Sequence, residues 1–142
     1  MGKMEDILRK LNLKDQKRIV VLNADKSYLK KLKKSAPDLQ IDTEIDPRFP
    51  YEIMLIFVKD LHEVNEITPS VIHNLVCNGI IWFAYPRTGD SKNGSDLDRK
   101  HGWEILLKRG FDSIRHVNID EKWAAVKFKN AKYIKSRKAL VE

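Results

Sequence analysis

With one cysteine in 142 residues, the chain has no partner for an internal disulfide. It must therefore be held together by its core, and a reducing, cytoplasmic setting is expected. That residue, Cys77, stands in the apolar run VIHNLVC and reads as a small buried hydrophobe rather than a nucleophile. Glycine is also scarce, with 6 in all, and neither G-x-G-x-x-G nor G-x-x-x-x-G-K-[ST] occurs. Both glycine-rich ways of cradling a phosphate are thereby excluded. No apolar run approaches the roughly 18–20 residues that cross a bilayer, so no membrane role is expected. The opening MGKMEDILRK turns charged at once, unlike a secretory signal, and Asp6 occupies the position where N-myristoylation of Gly2 requires Ser or Thr. The histidines His62, His73, His101 and His116 show no metal-ligand spacing, and H-E-x-x-H and G-x-S-x-G are both missing. No metal site and no serine nucleophile elbow are expected.

The remaining composition is that of a globular protein, 42% hydrophobic and 33% charged, with a formal net charge of +7. The charge is unevenly distributed. Residues 1–40 carry 11 basic and 5 acidic side chains, residues 41–86 carry 2 and 7, and residues 87–142 carry 14 and 8. A basic outer surface favours an anionic partner, and it equally serves solubility alone. There are no internal repeats and no interior linker, so residues 1–142 are read as one domain.

Apolar periodicity orders the elements. Residues 4–11 pattern as a short amphipathic helix, and Arg18 to Ala24 as a strand buried on both faces. KSYLKKLKKS after Asp25 is a helix with Tyr28, Leu29 and Leu32 inward and its lysines solvated, ended by Pro37. A short strand follows over Ile41 to Ile45, then the strongest one, Glu52 to Val58. Thr68-Pro69 reads as the cap and first position of a helix whose inner face is Val71, Ile72, Leu75 and Val76, ended by Asn78-Gly79. Strand Ile80 to Tyr85 leads into a polar loop, then a helix capped by Ser95 with Trp103, Leu106 and Leu107 inward. It stops at Gly110. Strands at Ser113–Ile119 and Trp123–Phe128 form a hairpin, and the basic tail over about 130–142 is expected to fray. Trp82 and Phe83 are core residues, and Trp123 is expected to be half exposed.

Buried strands alternating with helices imply an α/β, three-layer Rossmann-like domain, its mostly parallel sheet ending in a C-terminal antiparallel strand pair. This order resembles the fold of S-adenosylmethionine-dependent methyltransferases. The segments LNLKDQKRIVVLNA, YEIMLIFVKD, GIIWFAYPR, SDLDR and IDEKWAAVKFK, in that order, resemble a small bacterial Rossmann-like family of unknown function. This chain departs from it in a longer TGDSKNG loop. The resemblance implies the fold and no established activity. A methyltransferase places a glycine-rich turn after the first strand, where this chain reads Asn23-Ala24-Asp25-Lys26-Ser27. Cβ atoms in that turn crowd close backbone approach to a cofactor, so no cofactor is expected, with S-adenosylmethionine as the alternative.

In an open α/β sheet, ligands collect beyond the carboxyl ends of the strands. The candidate binding residues are therefore Asn23, Asp25, Lys59, Tyr85, Arg87, Thr88, Ser95 and Arg99. Asn23 and Tyr85 would offer directional hydrogen bonds, and Lys59, Arg87 and Arg99 would attract an anion. Ser95 would open a helix with unpaired N–H groups. The plainer account is that Ser95 caps a helix, Arg87 is solvated, and His101 with Asp98 forms a surface pair. The expected function is a noncatalytic module for a small anionic or nucleotide-like ligand or a protein partner. A divergent methyltransferase is the first alternative, and a nucleic-acid-binding protein using the basic outer segments is the second.

Overall fold

The computed structural model describes residues 17–87, 97–98 and 101–134. The expected helix at 4–11, the end of the basic tail, and the Ser95 cap lie outside these residues. Strand β1 (Arg18–Leu22) leads into helix α1 (Lys26–Ser35), then β2 (Gln40–Asp42) and β3 (Tyr51–Phe57). Helix α2 (Leu61–His73), β4 (Leu75–Pro86) and a short α3 (Glu104–Lys108) follow. β5 (Phe111–Asn118), β6 (Trp123–Asn130) and a 3₁₀ turn (Ala131–Tyr133) complete the order. The six strands form one sheet in the order β2-β1-β3-β4-β6-β5. Strands β2, β1, β3 and β4 are parallel, and β6 runs antiparallel to both β4 and β5.

The alternation of side chains along the strands divides the core into two. Val20, Leu22, Met54, Ile56, Phe83 and Tyr85 face α2 and α3, packing with Val64, Val71 and Leu106. Ile19, Val21, Leu55, Phe57, Trp82 and Ala84 face α1 and its Leu32. With helices on both faces, Ile19–Leu22 of β1 and Ile53–Phe57 of β3 are apolar and buried without a break, as the sequence runs suggested. β6 places Ala124, Ala125, Val126 and Phe128 in the core, whereas Ser113, Ile114 and Arg115 of β5 are exposed. The more apolar member of the hairpin therefore lies inside, and the polar one takes the edge. The closing pair thus contributes a single reversed strand, and β5 runs in the same direction as β4.

Several boundaries differ from the sequence reading. Helix α2 begins eight residues earlier than Thr68-Pro69 suggests, because Asp60 caps it by accepting from Glu63 N at 3.0 Å. Glu63 Oε1 in turn accepts from Lys59 N at 2.6 Å, closing the first turn. Pro69 sits inside the helix, where the buried Thr68 donates its hydroxyl to Val64 O at 2.6 Å. The helix stops at His73 because Asn74 Nδ2 donates to Asp46 O at 3.0 Å and to Phe49 O at 3.3 Å. Those bonds turn the chain back into the sheet at Leu75. The register then slips, Tyr51 pairing with Leu75 and Ile53 with Ile80, so residues 76–79 bulge out. Cys77 rides on this bulge and is exposed, contrary to the buried position expected for it. Leu107, expected inward, is 54% exposed, because α3 is a short helix that commits only Leu106 fully to the core.

Candidate functional site

Beyond the carboxyl ends of β1 and β3 lies a crevice of about 890 Å³. From β1 the chain crosses to β2 on one side, while β3 pairs on the other, so the crevice sits where the strand order reverses. This is the position at which open α/β sheets bind ligands. The segment from Asn23 to Asp25 and the first turn of α1 supply one wall. Phe57, Lys59 and Glu63 supply the floor and one side, and the β5–β6 turn closes the far end.

Each wall is fixed locally. Asn23 is the only non-glycine residue with positive φ among those described, at 64°, and its Nδ2 donates to Phe57 O at 3.2 Å. An asparagine tolerates this left-handed conformation, so the turn after β1 forms without glycine. Asp25 caps α1, its Oδ1 accepting from Tyr28 N at 2.7 Å. In the β5–β6 turn, Asp120 Oδ1 accepts from Lys122 N at 2.7 Å and Trp123 N at 2.9 Å. Arg87 ties that turn to the end of β4, donating from Nη1 to Asp120 O at 3.0 Å and from its N–H to Lys122 O at 2.9 Å.

An aromatic row spans the crevice from wall to wall. Phe57 meets Tyr28 at 5.1 Å and 68°, and Trp123 at 5.0 Å and 81°, both edge to face. The Tyr28 hydroxyl is shut off from solvent and has no hydrogen-bond partner among the described residues. Burial, reinforced by the Asp120 carboxylate, pushes its pKa far above the ordinary tyrosine value, and it stays a neutral donor. Around the row stand Lys31, Lys59 and Lys122 with Asp25, Glu63, Asp120 and Glu121. The charges are mixed, which suits a ligand with both polar ends and an apolar body more than a bare anion.

Of the residues expected at the site, Asn23, Asp25 and Lys59 line this crevice. Tyr85 does not. It is 2% exposed and packs against Trp103 at 5.4 Å on the opposite face of the sheet. Arg87 braces the turn rather than standing solvated. Thr88, Ser95 and Arg99 lie outside the described residues. Asp98 and His101, neither of them helical, pair at 2.9 Å, and Trp103 Nε1 donates to Asp98 O at 2.7 Å. No group of metal-ligating side chains occurs among the described residues, and no helix among them is long and apolar enough to cross a membrane. Sequence reasoning missed Tyr28, Glu63 and Asp120. It assigned Tyr28 to the core on helical spacing alone, although a tyrosine in a first turn brings a hydroxyl to the strand ends. Trp123, expected half exposed, is half-buried at the far wall.

Solved structures resemble this arrangement over most of its length. The N-methyltransferase NodS from Bradyrhizobium japonicum, in complex with S-adenosyl-L-homocysteine, aligns at a TM-score of 0.59 and 8% identity, covering 91% of this chain and 86% of its own. A putative S-adenosylmethionine-dependent methyltransferase from Listeria monocytogenes aligns at 0.55 and 13% identity, covering 91% and 97%. An rRNA methylase from Streptococcus thermophilus gives 0.51 and 12%, covering 88% and 92%. The fold is methyltransferase-like. At these identities the likeness carries the fold alone, with one reversed strand in an otherwise parallel sheet. No family model matches the sequence, and no curated protein matches it.

Proposed function

We propose that this chain is a divergent S-adenosylmethionine-binding protein of the methyltransferase kind, with its ligand held in the crevice above β1 and β3. The observation that carries this reading is the crevice's position, at the reversal of strand order in a methyltransferase-like sheet. Its volume of about 890 Å³ suits such a ligand, since small-molecule pockets run from roughly 300 to 1,000 Å³. The donor set also fits. The first-turn N–H of Ser27 has no intrahelical acceptor, and with Lys59 it suits a carboxylate. Tyr28 and Trp123 suit a flat ring, and the carboxylates of the β5–β6 turn suit an amine or sulfonium charge. When bound, S-adenosylmethionine supplies an activated methyl group. The chain's own part is to hold and orient it, with Asn23 taking the place of glycine in the turn that faces it.

Calorimetric titration with S-adenosylmethionine and S-adenosylhomocysteine tests the reading. Micromolar binding of either one supports it, and no heat with either at millimolar ligand rejects it.

A further inference from the structure

We infer that Tyr28 reads the ligand of this crevice, its hydroxyl donating a hydrogen bond to an uncharged acceptor such as a ring nitrogen or a sugar oxygen. The inference rests on the nucleoside reading above and goes further by naming a donor and the kind of group it meets. Edge-to-face packing on Phe57 at 5.1 Å accounts for the Tyr28 ring, and a phenylalanine would satisfy that contact equally well. The hydroxyl is what packing leaves unexplained. It is withdrawn from water and has no partner among the described residues, an arrangement that costs free energy in the ligand-free protein. The residue carrying it lines the crevice, in the first turn of α1 and across from the β5–β6 turn. A ligand acceptor seated beside Tyr28 would supply the missing bond.

The neighbouring charge selects the acceptor. Burial, and after it the Asp120 carboxylate, raises the Tyr28 hydroxyl's pKa, and Asp120 lines the same crevice. Its Oδ1 is already shared by two backbone N–H groups, which hold it in the turn. At the Tyr28 hydroxyl itself, a phosphate or carboxylate would meet Asp120's charge more closely than at the Ser27 N–H and Lys59, whereas a ring nitrogen or a hydroxyl oxygen would not. The raised pKa of Tyr28 agrees, since the group remains a protonated donor throughout the working pH range.

The test compares wild type with Tyr28→Phe by calorimetry, using S-adenosylhomocysteine and adenosine as separate probes, and by thermal melting without ligand. Phenylalanine keeps the ring and its contact with Phe57. We expect the variant to bind both probes about tenfold more weakly, the loss of about one hydrogen bond. Its ligand-free melting temperature should be equal to or a few degrees above that of wild type, because an orphaned hydroxyl has been removed. Equal affinity in the two proteins overturns the role of Tyr28 while leaving nucleoside binding intact. A melting temperature several degrees lower means that the hydroxyl has a partner in the free protein, and this also overturns it. Failure of wild type to bind either probe overturns the nucleoside reading itself, and the inference with it.

Discussion

Two glycines with similar backbones and different surroundings allow strain and packing to be measured separately. Gly102 has φ 104° and Gly110 has φ 87°, both in the region that L side chains avoid. A Cβ on Gly102 would stand 2.2 Å from Leu97 Cδ2, whereas one on Gly110 meets nothing within 4 Å. Leu97 is 1% exposed and belongs to the core with Trp103 and Tyr85, so it cannot swing clear without displacing them. Gly110→Ala therefore carries only the backbone penalty, about 1 kcal/mol after the smaller unfolded-state entropy of alanine is allowed for. Gly102→Ala carries the same penalty plus an overpacking cost of about 2 kcal/mol, or roughly 3 kcal/mol together. For a chain of this length each kcal/mol lowers the melting temperature by roughly 3–4 °C. Circular dichroism should then record a loss of about 3–4 °C for Gly110→Ala and about 10 °C for Gly102→Ala. Adding Leu97→Ala to Gly102→Ala makes the room the new methyl needs, and the double-mutant cycle should return a coupling of about 2 kcal/mol. Equal losses at the two glycines, or a coupling near zero, would refute the steric argument.

Acid sensitivity should centre on the opposite end of the sheet from the crevice. Burial alone would raise the Asp42 carboxyl, but hydrogen bonds from Tyr51, Gln40 and Arg18 outweigh it and hold the carboxyl below its ordinary value. Asp46 is lowered chiefly by the Arg48 N–H and then by Arg18. A carboxyl whose folded pKa lies below its unfolded value adds stability above about pH 4, and that stability disappears as pH falls through the lowered value. The urea midpoint should thus drop between pH 5 and pH 3, and less so in Arg18→Met; an unchanged acid slope in the variant would remove Arg18 from the account. At the crevice, Asn23→Ala loses both the bond to Phe57 O and a residue tolerant of φ 64°, about 1–2 kcal/mol by urea denaturation. Asn23→Gly recovers the backbone freedom and should cost clearly less, so identical losses for Ala and Gly would show that the left-handed turn stores no strain.

The fold was legible because both of its periods are strong. The runs Ile19–Leu22 in β1 and Ile53–Phe57 in β3 have no polar interruption, which in a chain of this composition calls for helices on both faces. α1 carries its lysines on one side, and its expected bounds match those observed. Boundaries set by tertiary hydrogen bonds were not legible. Thr68-Pro69 has the form of a helix start, yet Asp60, eight residues earlier, already caps α2, and Thr68 turns its hydroxyl back to Val64. Nothing local to residues 74–79 announces that Asn74 will be held by carbonyls of the β2–β3 connection. The position of Cys77 follows from that long-range contact.

The site was legible at strand ends and illegible across them. Asn23, Asp25 and Lys59 follow strands directly, so their place at the rim needs only the strand assignments. Tyr85 also ends a strand, but alternation decides its face: Trp82 and Ala84 look toward α1, so Phe83 and Tyr85 look away from it. Counting parity back from Trp82 would have removed Tyr85 from the crevice. Tyr28, Phe57 and Trp123 come from three separate elements, and only the pairing of β4 with β6, bringing Pro86 opposite Trp123, carries the far wall to β3. Glycine's absence from the first turn argued against a cofactor because close approach was assigned to that turn alone. The structure weakens this argument at both ends. Asn23 adopts the left-handed conformation for which glycine is usually needed, and the aromatic row offers a ligand surface away from the turn. Under the proposed reading, the missing glycine implies that a ligand here would be held less by backbone and more by side chains, which the binding comparison of wild type with Tyr28→Phe addresses.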